Sequence, residues 1–311
     1  METILLSSAQ IEEATKLLKQ GELVAIPTET VYGLAAPIFN PQAIEKIFAL
    51  KKRPADNPLI VHVASFSMAA SLVSHLPPFF DLLTRAFWPG PLTLILPKKG
   101  IVPDIVTAGH PTVAVRMPSH PVALRLIEAM EEPLVAPSAN LSGKPSPTTA
   151  DHVLEDFYGQ LFAVLDGGPC DIGIESTVLS LVGEMPVLLR PGAIRREQIE
   201  QILNRSIGVG GSEETPPSPG TKYRHYAPIS PMQLVDRLEP NRLGEEEPFI
   251  LSREPTGLSL YRPLNAKTLY SFLREADRIQ AKEIWVLIDS VISTDEALMN
   301  RLKKAAGQEE G

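Results

Sequence analysis

Seven short apolar runs punctuate roughly the first two hundred residues, and their spacing limits the architectures open to the chain. They are Leu23–Pro27, LIVHV (Leu59–Val63), LTLIL (Leu92–Leu96), TVAVRM (Thr112–Met117), FAVLD (Phe162–Asp166), TVLSLV (Thr177–Val182) and VLLR (Val187–Arg190). Their shortness and β-branched content predict strands. Helical patterns stand between several of them. Ser7 with Gln10 resembles a capping box ahead of the stripe Ile11, Ala14, Leu17 and Leu18, which ends at Gly21. Asn40-Pro41 caps and starts a helix bearing Ile44, Ile47 and Phe48; it stops at KKRP because Pro54 disfavours helical backbone at Arg53. Several strands follow one another closely. The sheet is therefore expected to be large, twisted and mixed, in an α/β domain, rather than purely parallel and doubly wound.

At 311 residues the chain has room for about two domains. Its composition shifts after Arg205, where SIGVGGSEETPPSPG carries few anchoring apolar residues and reads as a linker. We therefore divide the chain into a domain at 1–205, a linker at 206–230 and a small α/β, Rossmann-like unit at 231–311. The last contains MQLV, PFILS, a helix through Leu269, Phe272, Leu273, Ala276 and Ile279, the strand IWVLI (Ile284–Ile288), and a final helix with Leu298 and Leu302. It shows no evident chemistry. Thirty prolines, about double the usual share, favour short elements and rigid turns. A net charge of −8 argues against a general nucleic-acid coat but leaves room for a local basic patch. Cys170 is the single cysteine, so no internal disulfide forms, which fits a reducing cytosol. No charged-then-apolar leader and no apolar run of about 18 residues stands out, so the expectation is a cytoplasmic protein with no membrane attachment.

The common nucleotide motifs are missing. LSGKPS has a Gly-Lys pair without P-loop spacing, GVGGS follows no convincing strand, and six histidines with one cysteine show no zinc spacing. A nucleotide would need another phosphate cradle. In TVAVRM, period two puts Thr112, Ala114 and Arg116 on one face, where Arg116 is costly without an anion; a strand-end arginine paired to a carboxylate is the alternative. His62 shares a face with Ile60, and a satisfied core histidine is the commoner explanation there. KKRPADNPL places Lys51, Lys52 and Arg53 at a helix end, where the dipole alone accounts for cations; the turn after them would also hold Arg53 and Asn57 as phosphate recognition needs. APSANLSGKPSPT (Ala136–Thr148) is dense in hydroxyls at a strand end, a common ligand position in α/β proteins, with a plain surface loop as the alternative. IESTV and LLRPG add Ser176 and Arg190 at strand ends, and PTETVYGLAA (Pro27–Ala36) joins hydroxyls to Gly33 at a junction. SPGTKYRHYAP (Ser218–Pro228) sets Lys222, Arg224 and His225 among tyrosines inside the linker, where a polar, solvated tether is the usual composition.

In this order PTETVYGLAA, KKRPADNPLIVHV, FWPGPLTLIL, TVAVRMPSHP, APSANLSGKPSPT, GIESTV, LLRPGAI and SPGTKYRHYAP resemble the Sua5/YrdC family of threonylcarbamoyl-AMP synthases, and the linker with its second unit resembles the two-domain Sua5 form. The resemblance covers Leu5 to about Ile202 almost continuously, with the small domain a looser match. It implies that L-threonine, bicarbonate and ATP give threonylcarbamoyl-AMP and pyrophosphate, for N6-threonylcarbamoyl modification of adenosine in tRNA. Threonine binding is then assigned to Thr30, His62, Arg116, Ala136 and Ser176. Nucleotide binding goes to Arg53, Asn57, Thr112, Ser138, Asn140, Ser146, Arg190 and Tyr226. Lys51 and Arg53, the K-x-R motif, are expected near the phosphates as catalytic charges. SPGTKYRHYAP is then expected to be a movable flap across the mouth of the nucleotide site, where Lys222, Arg224 and His225 meet phosphates or bicarbonate. Thr221 stands where the family usually has methionine. Mg2+ is expected with ATP, held mostly by phosphate oxygens and water, and no residue is singled out as general base. Further expected partners are downstream tRNA threonylcarbamoyl-transfer proteins, with weak RNA binding. Two alternatives stand beside this. One is a double-stranded-RNA-binding or ribosome-maturation factor using a patch of Lys51, Arg53, Lys144 and Arg190. The other is a carbamoyl-transfer module of the hydrogenase-maturation type, for which the chain lacks room and cysteines.

Overall fold

All seven runs form strands in the computed structural model, which describes residues 2–210, 225–238 and 247–308. They are β2 (Val24–Ile26), β4 (Ile60–His62), β5 (Leu92–Pro97), β6 (Thr112–Arg116), β8 (Ala163–Asp166), β9 (Thr177–Ser180) and β10 (Val187–Arg190). Four further strands join them: β1 (Ile4–Ser7), β3 (Gly33–Pro37), β7 (Leu134–Val135) and β11 (Gly208–Val209). Among the described residues they make one eleven-stranded sheet in the order β1-β8-β2-β3-β7-β4-β6-β5-β9-β10-β11. Parallel pairs such as β4 with β6 alternate with antiparallel ones such as β5 with β6, so the sheet is mixed. The short link from β9 to β10 leaves room only for an antiparallel return. The pairing of β11 with β10 carries the sheet past residue 205.

Helices α1 (Ile11–Lys19), α2 (Pro41–Lys51), α3 (Phe66–Leu72), α4 (Phe80–Phe87), α5 (Asp104–Thr107), α6 (Pro121–Met130), α7 (Ala150–Phe157) and α8 (Arg196–Leu203) surround this sheet. Asn40 caps α2 by accepting from the Ala43 amide at 3.0 Å, and the helix stops at Lys51 with Lys52 left-handed at φ 51°, ahead of Pro54. Ser7 behaves differently from the expected capping residue. It ends β1, and its amide and hydroxyl donate to Gln10 Oε1 at 2.9 and 3.1 Å, fixing the turn into α1.

Strand periodicity then sorts the two faces of the central sheet. Val61, Val113, Val115, Leu94, Leu96 and Leu179 point into the main core with Ile44, Ile47 and Leu83 from α2 and α4. Each such fully buried side chain contributes about 1.5–3 kcal/mol. On the other face His62, Arg116, Thr93 and Val178 stand side by side in register, and the next row, Ile60, Ala114 and Ile95, packs with Val178 as a separate apolar cluster. A polar row above an apolar floor is therefore built into the sheet.

The small domain has β12 (Met232–Val235), β13 (Phe249–Ser252), β14 (Tyr261–Pro263), α9 (Leu269–Arg278), β15 (Ile284–Leu287), α10 (Ser290–Thr294) and α11 (Glu296–Ala305). Its four described strands are all parallel, in the order β12-β15-β13-β14. Its core, around Phe249, Leu251, Leu273 and Leu302, continues into Val31, Ile174 and Tyr226, so it is docked firmly on the large domain. The approach is close at Gly173, with φ 84°, where a Cβ would lie 2.5 Å from the Lys267 Cα. Arg274 of α9 reaches across to Pro145 O at 2.7 Å and Asp156 at 2.8 Å. Among the described residues no helix is long and apolar enough to cross a membrane.

Candidate functional site

A cleft opens over the polar row of the sheet, lined by β3, β4, β6, the 136–146 loop, the ends of β9 and β10, and His225 and Tyr226. At one end sits Arg116, only 4% exposed. Its Nη2 donates to Glu29 Oε1 at 2.7 Å, Nη1 to Thr30 Oγ1 at 2.9 Å and Nε to Gly90 O at 3.3 Å. Both readings of this arginine therefore meet: it is paired to a carboxylate, and it also faces the cleft. A guanidinium has five N–H groups, so one on each terminal nitrogen is left for a ligand. The Thr28 hydroxyl donates to Val31 O at 2.6 Å, so at 2.8 Å it accepts from Thr30, whose hydroxyl is thereby oriented.

His62 adjoins Arg116 on the next strand. Its Nδ1 lies 3.3 Å from Ile60 O. A carbonyl only accepts, so Nδ1 carries the proton and Nε2 is left as an acceptor. Burial, then the neighbouring Arg116, brings its pKa down to about 3, so the ring is neutral at ordinary pH. Ser176 Oγ lies 2.8 Å from Thr93 Oγ1 and accepts from Arg190 Nη2 at 3.1 Å, linking this end to the next.

The other end is cationic. Arg190 is buried and donates through Nε and Nη2 to Ser176 O at 3.1 and 3.0 Å. Arg53 is held by the Asn57 and Pro58 carbonyls, at 3.3 and 3.0 Å from Nη2. Asn57 thus acts through its main chain; it is buried and does not line the cleft. Lys51 also stays out of the lining. Its ammonium is buried beneath the 138–140 loop, donating to Ser138 O and, at 2.6 Å, to Asn140 O. Burial first, and Arg53 second, pull its pKa well below the ordinary lysine value. Thr112 shares the ligand face but lies at the far end of β6, outside the cleft lining. Lys222 and Arg224 lie outside the described residues. Thr30, His62, Arg116, Ala136 and Ser176 all line the cleft, as do Arg53, Ser138, Asn140, Ser146, Arg190, His225 and Tyr226.

His225 is half-buried and its pKa is lowered to about 3, by desolvation first and then by Arg53 and Lys304. It is therefore a neutral group among cations rather than a cation itself. Tyr226, left-handed at φ 65°, stacks on Tyr270 at 5.4 Å, while the Ala227 amide donates to Gly143 O at 2.7 Å. This end of the linker is pinned to the ligand loop and to the small domain together.

Sequence reasoning passed over Glu175, although it stands inside IESTV. One oxygen accepts from Ser146 Oγ at 2.5 Å; the other accepts from Tyr270 OH at 2.9 Å and Arg301 Nε at 3.0 Å. Burial alone would raise its pKa, but the charges of Arg301 and Arg190, with these hydrogen bonds, hold it at about 2. Because Ser146 gives its proton to this carboxylate, it presents only acceptor lone pairs to the cleft. Glu29, inside PTETVYGLAA, was missed in the same way. A signal for Arg301 was available: it lies on the apolar stripe of α11 between Leu298 and Leu302.

Residues 16–192 match the Sua5/YciO/YrdC family, described as "Telomere recombination". The chain belongs to that family. Residues 194–307 match the Sua5 C-terminal family, described as "Threonylcarbamoyl-AMP synthase, C-terminal domain". The threonylcarbamoyl-AMP synthase of Pyrococcus abyssi is 42% identical, over 96% of this chain and 94% of that protein. That of Bacillus subtilis is 44% identical, over 96% and 93%. The crystal structure of P. abyssi Sua5 complexed with L-threonine superposes with a TM-score of 0.91 at 41% identity, covering 99% of this chain and 98% of the other. The two-domain Sua5 architecture thus extends across the whole of this family member.

Proposed function

We infer that this chain is a threonylcarbamoyl-AMP synthase that joins L-threonine, bicarbonate and ATP. The observation that carries the reading is one continuous cleft with two differently equipped ends. Arg116, beside a neutral acceptor at His62, suits an amino acid's carboxylate together with its amine or hydroxyl. Arg53 and Arg190 suit phosphates, and Ser146 accepts from a hydroxyl or amino group of the nucleoside.

The threonine amine adds to bicarbonate, giving a carbamate and water. A carbamate oxygen attacks the α-phosphorus of ATP, and the bond to the β-phosphate bridging oxygen breaks to release pyrophosphate. The chain's contribution is positioning and charge neutralisation. His62, protonated only near pH 3, orients the amine or hydroxyl and does not remove its proton. Magnesium enters as part of the MgATP substrate, bound by phosphate oxygens and water; among the described residues no cluster of three carboxylate, histidine or cysteine side chains offers it a resident site. The product is a mixed anhydride, which tRNA threonylcarbamoyl-transfer proteins would consume. The RNA-binding alternative is not favoured, because Arg53 and Arg190 are held inward by carbonyls at the cleft rather than spread over a surface. Incubation with carbon-labelled bicarbonate and mass spectrometry tests the reading. The label should appear in threonylcarbamoyl-AMP, and an adenylate without it overturns the scheme.

A further inference from the structure

Arg301 is the largest fully buried side chain among the described residues, yet it belongs to the last helix of the small domain. A buried guanidinium is costly unless it is held by several partners. Here Nε donates to Glu175 at 3.0 Å, and Nη1 donates to Pro191 O at 2.8 Å and Asn300 Oδ1 at 3.1 Å. Its guanidinium carbon lies 5.5 Å from the centre of the Tyr226 ring. Nη2 is buried with no partner among the described residues. Three of these contacts lead into the cleft: Glu175 holds the Ser146 hydroxyl, Pro191 follows Arg190, and Tyr226 lines the cleft itself. Arg190 and Arg301 are both buried and both act on the Glu175 carboxylate, Arg301 through a direct ion pair at 3.0 Å.

We propose that Arg301 is a positioning residue of the nucleotide half of the cleft: by fixing Glu175 and the Pro191 carbonyl it aims Ser146 and Arg190 at the bound nucleotide. This makes the small domain part of the synthetic site, beyond a docked appendage, and it rests on the functional reading above for the identity of the ligand. Docking as such is served elsewhere, by Arg274 with Asp156 and by the exposed Arg278–Glu155 pair, whose arginine side chain is 58% exposed.

The test uses the full chain and needs no turnover. Calorimetric titration with a non-hydrolysable ATP analogue plus magnesium, and separately with L-threonine, is run on wild type, Arg301→Met, Arg301→Lys and Arg278→Ala. The expected result for R301M is at least a tenfold weaker analogue affinity, with threonine affinity within twofold of wild type. R301K should fall between, at least threefold from each, because lysine keeps the charge but cannot hold both Glu175 and the Pro191 carbonyl. R278A should bind the analogue within twofold of wild type. Analogue affinity within twofold in R301M, equal weakening of both ligands, or an equal loss in R278A overturns the proposal. If R301M does not fold, R301K alone decides, and an unchanged analogue affinity overturns it. A wild-type protein that makes no threonylcarbamoyl-AMP would sink the functional reading, while the analogue titration would still decide the role of Arg301.

Discussion

Replacing Arg116 tests the amino-acid end of the cleft, and the structure dictates which replacement is informative. Alanine would leave Glu29 buried with both oxygens unpartnered, since Oε2 has no partner among the described residues and Oε1 depends on Arg116. Breaking a buried pair in this way costs about 3–5 kcal/mol of stability and would mask any binding effect. Arg116→Lys keeps a cation beside Glu29 but removes the planar fork, and with it the paired N–H groups left for a carboxylate. A charge-assisted hydrogen bond is worth about 1.5–3 kcal/mol, which converts to a loss of about 10- to 150-fold in L-threonine affinity. Calorimetric titration of threonine without nucleotide measures it, alongside a thermal melt that should move little. Threonine affinity within twofold of wild type would refute the assignment of Arg116 as the carboxylate clamp.

Other consequences concern the framework around the site. Folding lowers the Glu175 pKa from its ordinary 4.5 to about 2, so the carboxylate stabilises the fold above the ordinary value and loses that contribution as pH falls toward 2. Glu175→Gln should therefore be less stable by about 3 kcal/mol near neutral pH in denaturant unfolding. The gap should shrink toward acid, and a gap constant with pH contradicts the network. Gly192→Ala would place a Cβ 2.3 Å from the Thr177 amide and 2.7 Å from Glu175 O, both backbone atoms, so it should destabilise by about 1–3 kcal/mol or more and weaken nucleotide binding; a wild-type melting curve would contradict this. Burial pushes the Cys170 thiol up to about 12, and it is 2% exposed, so a thiol reagent should leave it untouched in the folded protein and modify it fully in denaturant.

Much of the large domain is legible because strand and helix periods are local. VLLR gives β10 over the very residues expected, and Asn40-Pro41 starts α2 as a cap and first turn should. β3 was less visible: GLAAP lacks β-branched residues, and it is a strand because its small side chains let it approach the 136–137 backbone, with a Gly33 Cβ otherwise 3.0 Å from that of Ala136. The cost of the arginine on TVAVRM left two readings open, an anion site or a paired carboxylate, and the structure shows it both facing the cleft and paired to Glu29. Its partner Glu29 was not legible, since nothing local in the sequence ties residue 29 to residue 116. Lys51 shows what a motif leaves open: a cation in a phosphate-like motif suggests direct contact, while in this structure its side chain is buried and holds the Ser138 and Asn140 carbonyls. The part played by Tyr270 and Arg301 depends on docking between domains, which no local period encodes.

The central claim is that this cleft couples activation of an amino acid's carbamate to cleavage of ATP. Pyrophosphate release, followed with each of L-threonine, bicarbonate and MgATP omitted in turn, tests it most directly. Release should require all three together and fall to background when any one is left out. Undiminished release without threonine or without bicarbonate would contradict the account.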